Sequence, residues 1–218
     1  MTYEKRIVCF FDILGFADAV KDKILSSDEI KSLFDELNIL INENSNDYIP
    51  IIHFSDSFVI TIKFKRNAPS QLGIVVKILI KLLEYNLLAR GSIVFGEVLH
   101  FEKNIFGPAL VEAVELEKKK AKYPRIIVDK SLNELELPTT GNGTITYINF
   151  FNNFRYIKLD DVDNEYYIDF IGELKNNKNN SNCVSNLHSL IKKFRNSEDE
   201  KIREKYTWLE NKVDQDIN

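Results

Sequence analysis

The spacing of apolar positions changes period several times along the chain, and each change marks an element. Residues 7–17, Ile-Val-Cys-Phe-Phe-Asp-Ile-Leu-Gly-Phe-Ala, form an apolar run broken by one acid and one glycine. Phe10, Phe11, Ile13, Leu14 and Phe16 give it the composition of a buried central strand and its exit. A short helix is predicted over 17–25. Ser26-Ser-Asp-Glu29 is a capping box that opens a second helix. Its apolar positions Ile30, Leu33, Phe34, Leu37, Leu40 and Ile41 form one helical stripe. Residues 49–53 and 58–64 read as strands around a turn at 54–57. Pro69 and Ser70 start a long helix through Leu88, and 92–99 is another core strand. Gly107-Pro108 opens a helix to about residue 122, with proline at the favoured first position. Further strands are predicted at 125–128, 144–150, 155–159 and 166–170.

This order is a ferredoxin-like βαββαβ plan, an α+β fold with a layer of helices on one face of a mainly antiparallel sheet. It is expected to occupy residues 1–174. Residues 175–183 are a polar Asn/Lys linker. A C-terminal helical extension is expected over 184–218. Val184, Leu187, Leu190, Ile191 and Phe194 stripe one helix; Ile202, Tyr206, Leu209 and Val213 stripe another. Their spacing suits packing on the body or on a second copy; short seams seldom dimerise unaided, which favours the body.

Composition narrows the classes. With 218 residues, 44% hydrophobic, 28% charged and a net charge of -4, the chain can bury a core but has no basic footprint for nucleic acid. Lys77, Lys81 and Glu84 interrupt its most apolar segment, so no membrane span is expected. No leader is expected before the first strand. The two cysteines, Cys9 and Cys183, read as free thiols of a cytosolic protein. Asn142-Gly-Thr144 reads as a turn. Asp160-Asp-Val-Asp163 lacks the glycine and terminal glutamate of a calcium loop and reads as a hairpin turn.

Candidate chemistry begins with Asp12. A carboxylate at the edge of an apolar core needs a partner. Either it caps the helix at Ala17, or it holds a cation while Gly15 turns the following amides toward phosphate. Asp56, in His53-Phe-Ser-Asp-Ser-Phe58, sits at a hairpin tip where it makes an Asx turn or meets a ligand. On the βαββαβ plan both acids can reach one end of the sheet. Two carboxylates there repel unless divalent cations join them, and all-oxygen donors suit magnesium or manganese.

Four segments in order resemble the class III nucleotidyl cyclases. Phe11-Asp-Ile-Leu-Gly-Phe16 is similar to their first metal motif and Phe54-Ser-Asp-Ser57 to their second. Arg90-Gly-Ser-Ile-Val-Phe-Gly-Glu97 resembles the strand that opens on a phosphate-contacting arginine, and Phe106-Gly-Pro-Ala-Leu-Val-Glu-Ala113 the helix after it. The resemblance covers residues 5–170. It implies two Mn2+ or Mg2+ ions on Asp12, Asp56 and the Ile13 carbonyl, amides of Leu14, Gly15 and Phe16 at the phosphates, and Arg90 on the β- and γ-phosphates. It also implies a homodimer with sites between subunits, with Lys158 placed like a lysine that reaches across.

The departures point to the base. Where purine cyclases place a lysine, an aspartate and an Asn-x-x-x-Arg pair, this chain has Ile52, Ile105, Val111 and Glu115. A site built to hydrogen-bond adenine loses discrimination without such groups. Residues 106–117 followed by Tyr123-Pro-Arg-Ile126 resemble the pyrimidine cyclases of Pycsar anti-phage systems. That resemblance implies conversion of UTP, or CTP, to the 3′,5′-cyclic monophosphate and pyrophosphate. The product would signal to a separate effector carrying a cyclic-nucleotide-binding domain. His53 and Phe54 are then expected to narrow the base pocket, and Arg125 to replace the missing helix arginine. The alternatives are a purine cyclase with atypical base contacts and an inactive, regulatory cyclase-like module.

Overall fold

The computed structural model describes residues 2–101, 104–141, 144–176 and 180–216. The Asn142-Gly143 turn and the centre of the predicted linker, 177–179, lie outside the described residues.

The elements follow in the order β1 (Glu4–Ile13), α1 (Phe16–Lys21), α2 (Ser27–Asn44), β2 (Ile51–Phe54), β3 (Ser57–Lys63), α3 (Ala68–Gln71), α4 (Gly73–Glu84), β4 (Ala89–Phe101), β5 (Asn104–Phe106), α5 (Pro108–Lys120) and β6 (Ile126–Val128). Then come β7 (Glu136–Gly141), β8 (Thr144–Asn149), β9 (Ile157–Leu159), β10 (Tyr166–Ile168), α6 (Ile171–Asn176), α7 (Ser181–Phe194) and α8 (Glu200–Asp216). The main sheet runs β2-β3-β1-β4-β6-β10-β9, with β5 on the far end of β4. Among the described strands only β4 and β6 pair in parallel, because α5 makes the crossover between them. β7 and β8 form a separate hairpin.

Alternation along β1 divides the sheet into two faces. Ile7, Cys9, Phe11 and Ile13 point into the main core, with Leu33, Leu37 and Ile41 of α2 and the apolar face of α4. The Phe11 and Phe58 rings stack at 4.9 Å across β1 and β3. Val8 points the other way, into a second cluster with Val94, Val98, Ala109 and Ala113. Helices therefore lie on both faces: α5 packs where the sequence plan had one bare face. The small Ala109 and Ala113 let it sit close to β4. Gly91 is required in β4 for a similar reason, since a Cβ there would fall 2.2 Å from the Phe10 carbonyl and 2.3 Å from Phe11 Cβ.

The capping box forms as written in the sequence: Glu29 N donates to Ser26 Oγ, and Ser26 N donates to Glu29 Oε2 at 2.8 Å. The long helix predicted to Leu88 stops at Glu84. Asn86 takes a left-handed backbone (φ 58°), and Leu87 and Leu88 stay buried while leading into β4. β7 and α6 were not anticipated. The C-terminal helices pack on the body. Asn186 of α7 donates to the carbonyls of Leu83 and Glu84 at the end of α4, both at 3.0 Å. Trp208, Leu209 and Val213 of α8 are buried. No helix among the described residues is long and apolar enough to cross a membrane. Cys9 and Cys183 are buried and unpaired, and burial pushes both thiols up.

Candidate active site

β1, the β2–β3 hairpin and β4 bring the first candidates to one end of the sheet. Asp12 faces Ser57 on one side and Arg90 on the other, and directly opposed residues in antiparallel strands share a face. Ile13 N donates to the Asp56 carbonyl at 3.0 Å, which ties the hairpin tip to the end of β1. Burial pushes the Asp12 carboxyl above its ordinary range; Arg90 opposes the rise and the Asp56 charge adds to it. The carboxylate of Asp56 has no hydrogen bond or ion pair among the described residues, so it makes no Asx turn there.

This donor set fits a hard divalent cation. Two carboxylates stand near each other with one arginine to offset them, and one carboxylate is uncommitted. The buried Ile13 side chain leaves only its backbone carbonyl available as a ligand. No group of three or more acidic, histidine or cysteine side chains is placed to hold a metal ion among the described residues. Magnesium-type ions keep several waters and use one or two carboxylates, so the pair suffices.

Arg90 Nε donates to Asp12 Oδ1 at 3.4 Å and lies 2.8 Å from Glu117 Oε1. The approach to Glu117 is close but poorly aligned, and Glu117 Oε1 has no directed hydrogen bond. Glu117 is 3% exposed, and burial raises its carboxyl while Arg90 lowers it. Neither Nη of Arg90 hydrogen-bonds among the described residues, so the outer end of the guanidinium is uncommitted. Sequence reasoning did not single out Glu117. Its signal was an acid four residues after Ala113, in the same row as Ala109 and Ala113, buried because α5 turns that row toward the sheet.

Other candidates fall elsewhere. Leu14 N donates to the Leu88 carbonyl at 2.8 Å, so this amide is not available to phosphate. Gly15 adopts a left-handed backbone (φ 69°) at the start of α1, and the amides of Gly15 and Phe16 enter no loop hydrogen bond among the described residues. The Phe16 ring is buried, edge-on to Phe34.

His53 was expected at the base, and the register corrects this. His53 opposes Phe58, which opposes Phe11, so it faces the main core, away from Asp12. Its ring stacks between Phe34 and Phe58, its Nε2 lies 3.0 Å from Asn38 Oδ1, and burial lowers its pKa. Its neighbour Phe54 opposes Ser57 on the Asp12 face and is 84% exposed.

Arg125 is also corrected. It is fully buried and paired with Asp160 and Asp163, its guanidinium set against the rings of Tyr123, Tyr167 and Trp208. Trp208 Nε1 donates to Asp160 Oδ2 at 2.7 Å, and Lys212 Nζ lies 3.0 Å from Asp160 Oδ1. A guanidinium enclosed this way fastens α8 and the β9–β10 turn to the sheet and does not reach a nucleotide. Lys158 lies on edge strand β9, paired with Asp169 at 2.6 Å. Four strand spacings, roughly 19 Å, separate β9 from β1, so Lys158 does not join Asp12 within one subunit. A cavity of about 740 Å³ beside α4, lined in part by Lys77, Val76 and Tyr156, lies over the opposite face of the sheet.

No protein-family model and no curated protein matches the chain. Among solved structures it is similar to the adenylyl cyclase CyaB from P. aeruginosa, at 15% identity and a TM-score of 0.47, over 77% of this chain and 94% of that one. It is also similar to the monomeric guanylyl cyclase domain of the RhoGC fusion protein from the aquatic fungus Blastocladiella emersonii (14%, TM-score 0.48, 76% and 95%). A third is the adenylate/guanylate cyclase/hydrolase from Silicibacter pomeroyi (13%, TM-score 0.46, 77% and 96%). At these scores the likeness carries no functional weight, which rests on the chain's own residues.

Proposed function

We propose that the protein is a homodimeric nucleotidyl cyclase acting on a pyrimidine nucleoside triphosphate, UTP before CTP. The observation that carries the reading is the convergence of Asp12 and Asp56 at one sheet end, beside an arginine whose outer edge is uncommitted.

Asp12, Asp56 and the Ile13 carbonyl would hold two divalent cations. Such ions, when bound, lower the pKa of the ribose 3′-hydroxyl and neutralise the triphosphate. Arg90 would present its free Nη edge to the β- and γ-phosphates, a bidentate task suited to guanidinium. The 3′-oxygen attacks the α-phosphorus in line, the bond to the β-phosphate oxygen breaks, and pyrophosphate leaves. Fixed positive charge aimed at the leaving oxygens stabilises the transition state without reorganisation. Ile52 and Val59 lie on the Asp12 face with nothing to hydrogen-bond a purine, and Glu115 is committed to Lys119 at 2.9 Å. This favours a base smaller than a purine over adenine or guanine.

A second copy would complete the site. Phe54 is 84% exposed on the Asp12 face and Val111 is 60% exposed on α5, an apolar pair suited to burial against a partner. Lys158 would then reach the partner's site. The cyclic product would signal to a separate cyclic-nucleotide-binding effector in anti-phage defence. Alanine at Asp12 or Asp56 is expected to abolish both turnover and Mn2+ binding with the fold intact. Near-normal activity in either variant would overturn these roles.

A further inference from the structure

The C-terminal helix α8 lies outside the segments that carry the cyclase resemblance, yet it docks beside the candidate site. Trp208 stacks on Tyr123 at 5.4 Å and hydrogen-bonds Asp160; Lys212 pairs with Asp160 and Asp161. Glu204 pairs with Lys122 at 2.8 Å, just past the C-terminal end of α5 and five residues after Glu117. Lys205 lies three residues before Trp208 and seven before Lys212, on the docked side of the helix. It is half-buried, and it has no ion pair or hydrogen bond among the described residues. Its ammonium is within electrostatic reach of both Arg90 and Asp12; burial lowers its pKa first, Arg90 lowers it further, and Asp199 and then Asp12 oppose.

We infer that Lys205 is a phosphate-binding residue, with α8 supplying the candidate site with a second cation for the polyphosphate of a nucleoside triphosphate or the pyrophosphate product. A half-buried ammonium that makes no direct ion pair is unfavourable in the empty protein and gains from a polyanion placed between it and Arg90. The position also answers the loss of Arg125 as a candidate cation: α5 carries no cation at Val111 or Glu115, while α8 brings one to the end of α5. The inference rests on the cyclase reading for its substrate, and on the docking of α8 for its geometry.

The test uses the full chain with Lys205→Gln, Lys205→Arg and, as a control on the same helix, exposed Lys201→Gln. Three quantities are read with Mn2+ present: the KM for nucleotide, the inhibition constant of pyrophosphate, and the affinity for inorganic tripolyphosphate measured directly by calorimetry. Losing one charge-assisted contact should weaken all three by about ten-fold in Lys205→Gln. Lys205→Arg should recover most of the loss, and Lys201→Gln should match wild type. An active wild type whose Lys205→Gln variant keeps the same constants would overturn the inference and leave the cyclase reading standing. Tripolyphosphate binding that depends on Lys205 in a protein making no cyclic nucleotide would support the inference and overturn the cyclase reading. A wild type that binds no tripolyphosphate would overturn both.

Discussion

Arg90 Nε stands 2.8 Å from Glu117 Oε1 and 3.4 Å from Asp12 Oδ1, so one nitrogen lies against both carboxylates. Glu117 therefore holds the root of the guanidinium and takes part of the charge that would otherwise be spent on Asp12. With Glu117→Gln, Arg90 should turn toward Asp12 and compete with the cation. Apparent Mn2+ affinity should fall by about ten-fold, the scale of one charged contact. Titration of Mn2+ by its free-ion resonance signal checks this; unchanged affinity would mean that Glu117 only fills space.

The same pair sets a pH dependence of stability. Burial raises the folded-state pKa of Glu117 above its ordinary value of 4.5, and Asp12 is raised likewise from 3.8. The unfolded chain then releases these protons first, so it binds fewer protons than the fold within the window between ordinary and raised values. Stability from these groups should fall as pH rises through that window. Glu117→Gln should flatten the fall. Urea unfolding across pH measures it, and an equal slope in both proteins would count against the assignment.

Much of the site was legible because it depends on local signals. An acid ending an apolar strand and an acid in a two-residue hairpin tip both face the same sheet end on a βαββαβ plan, whatever the side-chain detail. His53 was not legible, because strands alternate: His53 and Phe54 are neighbours in sequence and point to opposite faces, and only the pairing of His53 with Phe58 decides which. Arg125 was misplaced for another reason. Its partners Asp160, Asp163 and Trp208 come from segments 35 to 83 residues away, and no local pattern announces a buried ion network. The helix predicted to Leu88 ran on because Leu87 and Leu88 extend an apolar stripe that the left-handed Asn86 breaks.

The Arg125 network makes a stability prediction that separates it from the site. Asp160→Asn or Arg125→Met leaves a buried charge without its partner and should cost about 3–5 kcal/mol. The KM of the molecules that remain folded should stay close to wild type. A large KM change with little loss of stability would return Arg125 to the binding site.

The dimer is tested by complementation. In a head-to-tail pair, Asp12→Asn and Lys158→Ala damage different halves of each site. Mixing the two inactive proteins should restore about a quarter of the wild-type rate, since half the dimers are mixed and each has one intact site. Phe54→Asp should weaken the pair, read by sedentation of the purified chain in an analytical ultracentrifuge. No recovery on mixing would remove Lys158 from the partner's site, since β9 lies too far from β1 for it to serve its own subunit.

The central claim is that two acids at one sheet end serve cyclisation of a pyrimidine nucleotide. The most direct measurement incubates purified protein with Mn2+ and each of the four ribonucleoside triphosphates and identifies the products by mass. The account predicts a 3′,5′-cyclic pyrimidine monophosphate with matching pyrophosphate, most from UTP, and none from the Asp12→Ala or Asp56→Ala proteins. Cyclic AMP or cyclic GMP as the main product would contradict the base assignment, and no cyclic product from any of the four would contradict the claim itself.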